Sequence, residues 1–156
     1  MISIAIAGFK DLSLGYLVLD YNGTLACDGL LLPHVAGHII RLAQELDIHV
    51  LTADTHKTCV LQLDGLPVTI SVVPSRPEDA AKLDYVRSLG PEQCACIGNG
   101  MNDRLMLKAC GLGIAVLGGE CSAAQAYLAA DIIAPGIIEA LELLEHPQRI
   151  LATLRN

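Results

Sequence analysis

Short apolar runs rich in β-branched residues alternate along this chain with stretches whose apolar residues recur at helical spacing, and that alternation constrains the fold more than any other feature. The runs are Leu17–Leu19, Ile48–Leu51, Val68–Val73, Cys94–Ile97, Ile114–Val116 and Ile132–Ile133. Val35, Ile39, Leu42, Ala43 and Leu46 predict a helix from Pro33 to Leu46. A second helix starts at Ala53-Asp54-Thr55 and stops at Asp64-Gly65. A third opens at Ser75-Arg76-Pro77-Glu78-Asp79, with Ser75 as cap and acids in its first turn, and ends at Gly90-Pro91. Further helices run through Leu105, Met106 and Ala109 to Gly111, and from Ser122 to Ala130. The amphipathic tail from Gly136 to Leu154 breaks at His146-Pro147. Strands separated by helices pair in parallel, which predicts an α/β fold of three layers. Ile2, Ile4 and Ile6 share one face, so an N-terminal β-hairpin is expected, running from Ser3–Ala7 into Tyr16–Leu19. The stretch from Asp20 to Thr52 leaves no room for an inserted domain, and 1–156 reads as a single domain.

The 156 residues are 53% hydrophobic and 17% charged, enough apolar material for a sizeable core. A net charge of −7 argues against a nucleic-acid surface, and aromatics at 3% leave little to stack on bases. No apolar run reaches the ~18–20 residues a membrane span needs. The N-terminus lacks the basic stretch and length of a signal peptide, so a cytoplasmic location is expected. The six cysteines include no C-x-x-C pair and read as reduced, small hydrophobic residues, with Cys94 and Cys96 on one face of a strand.

Polar residues cluster where the strands end. Asp20 closes an apolar run and is followed by Asn22, Gly23 and Thr24; Thr52 closes the next, with Asp54 behind it. Lys82 lies near a helix start, and Gly98-Asn99-Gly100-Met101-Asn102-Asp103 follows another strand. A parallel sheet gathers all of these on one edge, the edge where open α/β sheets bind ligands. A carboxylate to attack phosphorus, a hydroxyl and a lysine to hold phosphoryl oxygens, and further oxygens for Mg²⁺ are the parts of a covalent phosphoryl-transfer site. Thr55 and Thr58 compete with Thr52 for its place, and Lys57 and Lys108 with Lys82. His34 and His38, four apart on a helix, read as a surface pair, since no third metal ligand accompanies them.

In kind and in order these motifs resemble the haloacid dehalogenase superfamily, and within it the phosphorylation domain of P-type ATPases. Asp20-Tyr21-Asn22-Gly23-Thr24 is similar to D-K-T-G-T, Thr52-Ala53-Asp54 to T-G-D, and Gly98–Asp103 to G-D-G-x-N-D. The resemblance spans roughly Tyr16 to Leu144. It implies a Rossmann-like parallel sheet without a cap domain and a Mg²⁺-dependent phosphohydrolase or phosphotransferase. Asp20 would form an aspartyl-phosphate. Thr52, Lys82, Gly23 and Asn102 would bind the phosphoryl group, and Asp20, Asn22 (through its carbonyl), Asn99 and Asp103 would form the metal site. Asp54 would stand behind them.

Two positions depart from the pattern. Asn22 occupies the place where most superfamily phosphatases carry an acid/base Asp, and Asn99 the place of a direct Mg²⁺ ligand. The resemblance therefore implies weak Mg²⁺ affinity and slow turnover. It also raises an alternative, a regulatory module that binds a phosphorylated ligand without useful turnover. The expected partners are a phosphorylated small molecule or phosphoprotein, with a homo-oligomer whose neighbour covers the open site.

Overall fold

The computed structural model describes residues 1–53 and 58–156. Six parallel strands form the central sheet in the order β10-β9-β8-β3-β6-β7. They are β3 (Tyr16–Asp20), β6 (Asp47–Thr52), β7 (Thr69–Val72), β8 (Cys94–Gly98), β9 (Leu112–Val116) and β10 (Ile132–Ala134). Two antiparallel pairs stand apart: β1 (Ile2–Ile4) with β2 (Leu12–Leu14), and β4 (Ala26–Cys27) with β5 (Leu30–Leu31). The helices are α1 (Val35–Leu42), α2 (Thr58–Gln62), α3 (Glu78–Leu89), α4 (Arg104–Ala109), α5 (Ala124–Ala129), α6 (Ile137–Glu145) and α7 (Pro147–Leu154).

Alternation along the strands divides the core. Leu17 and Leu19 face one side, with Val35 and Ile39 of α1 and Leu141 and Leu144 of α6. Val18, Cys94 and Cys96 face the other, with Val86 of α3, Met106 and Leu107 of α4 and Ala126 of α5. Asp20, two residues beyond Val18, falls on the α3 side by the same alternation. Cys59, Cys94, Cys96 and Cys110 are buried, Cys27 is half-buried and Cys121 exposed. Burial, with the neighbouring Cys110 and Glu92, pushes the Cys94 thiol up to about 12. That value fits a packing role better than a nucleophilic one.

The N-terminal hairpin exists, but its second strand is Leu12–Leu14, not Tyr16–Leu19. The reason is that β3 is central. β6 occupies one of its edges and β8 the other, so no ladder position remains for residues 3–7. Gly15 marks the change of partner: its N–H donates to Gln93 O and its carbonyl accepts from Asp47 N–H, both at 2.9 Å. The isoleucines of the hairpin are buried as their alternation predicts. The ribbon β4–β5 is not among the expected elements; it lies in the connection from Asp20 to α1. α1 begins at Val35, not Pro33, because His34 is left-handed at φ 70°. Ser75 caps nothing: Pro77 is the residue before α3. The expected helix start at Ala53-Asp54-Thr55 falls largely on residues 54–57, outside the described residues.

His38 is not part of a surface pair. It is buried between α1 and α6, with Nδ1 2.9 Å from Glu145 Oε1, and Arg41 Nε donates to that same oxygen at 2.9 Å. Burial alone would raise the Glu145 carboxyl, but the hydrogen bonds from Arg41 and His38 outweigh it and hold the group below its usual range. A carboxyl depressed on folding stabilises the fold above its unfolded value, and that contribution is lost as pH falls through the folded value. Glu145→Gln should therefore lower Tm at neutral pH, with the deficit shrinking as pH is lowered below the ordinary carboxylate range. Thermal melts across pH check this.

Candidate active site

Neighbouring strands place the site. From β3 the chain passes to β6 on one side, and it later returns to β8 on the other. The crevice at the carboxyl ends of β3 and β8 is thus the point where the connections diverge, the place such sheets reserve for ligands. Asp20 ends β3 at 5% exposure, and Asn99 follows β8.

Lys82 joins the parts. It lies one turn into α3, is fully buried, and donates to Asp20 Oδ1 at 2.6 Å and to Asp103 Oδ1 at 2.7 Å. Glu78 Oε1, four residues earlier on the helix, lies 3.4 Å from the same ammonium. Glu78 Oε1 also accepts from Asn102 Nδ2 at 2.7 Å. The other oxygen of Asp103 accepts the N–H groups of Asn99 and Gly100 at 3.0 and 2.8 Å. This fold-back needs Gly98, because a Cβ there would lie 2.5 Å from the Asp103 carboxyl carbon.

Thr24 Oγ1 lies 3.2 Å from Asp20 Oδ2 and 3.3 Å from Asn99 Oδ1. One hydroxyl proton serves only one of these oxygens, so both acceptors converge on a point with one donor. The turn that brings Thr24 back is built on Tyr21 O, which accepts from the N–H groups of Thr24, Leu25 and Ala26. Gly23 supplies φ 78°, and the Asn99 amide packs where its side chain would be. Asn99 Nδ2 donates to Cys121 O at 2.9 Å.

Burial and the neighbouring Asp103 charge push the Asp20 carboxyl up to about 7, against the pull of Lys82. Burial alone would lower the Lys82 ammonium, but Asp20 and Asp103 outweigh it and hold it above its usual value. One ammonium among three carboxylates leaves a formal excess of two negative charges. That excess, with the converging oxygens of Asp20 and Asn99, fits a hard dication such as Mg²⁺.

The expected site residues are thus largely brought together: Asp20, Gly23, Lys82, Asn99, Asn102 and Asp103 form one connected group. Asn22 is exposed in the loop after Asp20. Thr52 is buried at the end of β6, one residue past Leu51, the register partner of Asp20. Of the competing residues, Lys108 is exposed and Thr58 begins α2; Asp54, Thr55 and Lys57 lie outside the described residues. In the sequence Glu78 has a sufficient explanation as a first-turn acid of α3; the signal for its place in the site is the i,i+4 spacing to Lys82, which puts both side chains on one face.

Residues 81–134, from beside Lys82 to the end of β10, match the family model for haloacid dehalogenase-like hydrolases. The chain belongs to that family. An uncharacterized protein of Methanocaldococcus jannaschii is 40% identical over 83 residues, covering 51% of this chain and 89% of that protein. The cobalt-bound deoxy-D-mannose-octulosonate 8-phosphate phosphatase of Haemophilus influenzae superposes with TM-score 0.71 at 16% identity, covering 92% of this chain and 94% of its own. The phosphatase of that type from Moraxella catarrhalis, in complex with magnesium, phosphate and its sugar, gives 0.70 at 17% identity, over 89% and 90%. At these identities the two structures share the fold with this chain.

The charge imbalance makes opposite changes in stability separable. A carboxyl raised from 3.8 to about 7 binds more protons folded than unfolded across that window, so its contribution to stability falls as pH rises through it. In metal-free protein at pH 8, Asp20→Asn should raise Tm, and the gain should shrink toward pH 5. Lys82→Met should cost about 3–5 kcal/mol, because it strands buried carboxylates. Denaturant unfolding in chelator measures both.

Proposed function

We propose that the protein is a Mg²⁺-dependent phosphatase that works through an aspartyl-phosphate on Asp20. The observation that carries this reading is the buried Lys82 ammonium, held between Asp20 and Asp103 at the carboxyl edge of the sheet. Such an ammonium neutralises the nucleophile's charge as a phosphate dianion approaches and then stabilises the equatorial oxygens. Asp20 Oδ attacks phosphorus in line; the Asp20–phosphorus bond forms as the bond to the leaving oxygen breaks. The hydroxyl of Thr52 and the second amide proton of Asn102 are the further phosphoryl donors; Gly23, expected among them, donates its N–H to Ala26 O inside the turn, as Thr24 does to Tyr21 O. Asp20, the Asn22 carbonyl, Asn99 and Asp103 would hold Mg²⁺, which would supply charge neutralisation of the phosphoryl oxygens. Asp103 and Glu78 position Lys82, and Glu78 orients Asn102.

The substrate is a phosphorylated small molecule or a phosphoprotein. Among the described residues, the β4–β5 ribbon follows the nucleophile's loop and the loop around Cys121 packs on Asn99, and such a mouth suits a bulky phosphorylated group, or a second copy of the chain acting as lid. No helix among the described residues is long and apolar enough to cross a membrane. The amides at Asn22 and Asn99 favour slow turnover. Taken further, they favour a second reading, a module that binds phosphorylated ligands without turning them over.

Hydrolysis of an aryl phosphate tests the proposal. The rate should require Mg²⁺ and should fall to background in Asp20→Asn and by at least ~10²-fold in Lys82→Met. No Asp20-dependent rate, together with a Tm raised by phosphate and Mg²⁺, would favour the binding module.

A further inference from the structure

Building on the aspartyl-phosphate reading, we propose that Glu78 is a self-inhibiting gate on that site. Its carboxylate holds the position between Lys82 and Asn102 that a phosphoryl oxygen needs, so phosphate binds only as Glu78 turns away. A single oxygen makes both contacts. Glu78 Oε1 accepts from Asn102 Nδ2 at 2.7 Å and lies 3.4 Å from the Lys82 ammonium. Lys82 and Asn102 are the two side chains expected to hold the phosphoryl group from the α3 side, and one carboxylate oxygen already bridges them.

The ammonium offers little other opening. A lysine has three N–H donors. Asp20 Oδ1 at 2.6 Å and Asp103 Oδ1 at 2.7 Å take two of them, and Glu78 is the next carboxylate. The Lys82 side chain is 0% exposed, so a phosphoryl oxygen reaches its remaining N–H only if a group covering it withdraws. Asp103 is pinned, because its other oxygen accepts the N–H groups of Asn99 and Gly100. Asp20 is the nucleophile and ends a strand that is paired on both edges. Glu78 is the loose partner. Its contact with the ammonium is longer than a hydrogen bond, its side chain is 21% exposed, and it is the first residue of α3.

A carboxylate and a phosphate dianion repel strongly when both crowd one buried donor, so the two exclude each other there. Turning outward leaves Glu78 in the first turn of a helix, where the N-terminal field still favours negative charge. Asp79, the next acid, pairs with Arg104 Nη2 at 2.8 Å and leaves the ammonium to Glu78. As Glu78 departs, the remaining N–H of Lys82 passes to the phosphoryl group, and Asn102 follows with either amide proton. A tethered carboxylate competes at high effective concentration, which a singly charged anion in solution does not match. Phosphate accompanied by Mg²⁺ brings more oxygens to the same donors together with the charge that offsets them.

Calorimetry of inorganic phosphate binding to the Mg²⁺-loaded protein tests the gate in wild type, Glu78→Gln and Glu78→Asp, with thermal melts to show that each variant is folded. Glu78→Gln keeps an oxygen for Asn102 and removes the charge. Glu78→Asp keeps the charge but is one methylene short of bridging both donors. Phosphate should bind at least ~10-fold tighter to Glu78→Gln and at least ~3-fold tighter to Glu78→Asp than to wild type. Unchanged or weaker binding in Glu78→Gln would overturn the gate and leave Glu78 as a group that only positions Lys82. So would Glu78→Asp matching wild type while Glu78→Gln binds tighter, because nearby charge and not occupancy would then be the cause. Absence of phosphate binding in all three proteins would overturn it as well. Aryl phosphate hydrolysis, measured alongside, separates the gate from the phosphatase reading. Tighter phosphate binding in both variants without Asp20-dependent hydrolysis would keep the gate and strike the enzyme. Asp20-dependent hydrolysis with phosphate affinity unchanged in both variants would keep the enzyme and strike the gate.

Discussion

The site depends on one buried ammonium. Lys82 carries a full charge into a crevice with no exposed surface of its own, at a desolvation cost that only close carboxylates can offset. Asp20 and Asp103 stand within 2.7 Å, and Glu78 within 3.4 Å. They overcompensate, and burial together with the remaining negative charge keeps the Asp20 proton bound to higher pH than a free carboxyl would hold it. The metal-free fold is therefore under electrostatic tension at the point where the proposed chemistry occurs. A phosphate dianion alone would add to that tension, whereas Mg²⁺ with phosphate would relieve it. Substrate and metal are thus expected to bind together.

The backbone around this charge cluster is as constrained as the charges. Gly98 lets Asp103 fold back onto the end of β8, and Gly23 gives way to the Asn99 amide. Thr24 reaches back to Asp20 because a single tight turn on Tyr21 O reverses the chain. These are close approaches of backbone to side chain, and they fix the oxygens of β3 and β8 relative to each other before any ligand arrives. Preorganisation of this kind is what electrostatic catalysis requires. The same rigidity leaves the exposed Asn22 as the residue facing solvent beyond the nucleophile.

Much of this was legible in the sequence for physical reasons. A parallel sheet gathers strand ends, so Asp20, Thr52 and Gly98–Asp103 had to lie near one another once the strand–helix alternation was recognised. The order of strands was not legible. A strand with Leu17-Val18-Leu19 reads as buried on both faces, but sequence does not say which neighbours take its two edges. The hairpin was accordingly assigned to the wrong partner. Glu78 was overlooked because an acid at a helix start has an adequate local explanation, and its pairing with Lys82 is visible only once the lysine is known to point inward. His38 was misjudged because its partner, Glu145, is far away in sequence. Short-range reading recovers elements and their ends, while long-range ion pairs require the fold.

The most direct measurement is to quench the Mg²⁺-loaded protein in acid during turnover and locate the phosphoryl group by peptide mass spectrometry. The account requires a hydroxylamine-labile phosphoryl group on the peptide containing Asp20, absent from Asp20→Asn and accumulating because its hydrolysis is slow. Hydrolysis that proceeds with no phosphorylated Asp20, or with the label on another residue, would contradict it.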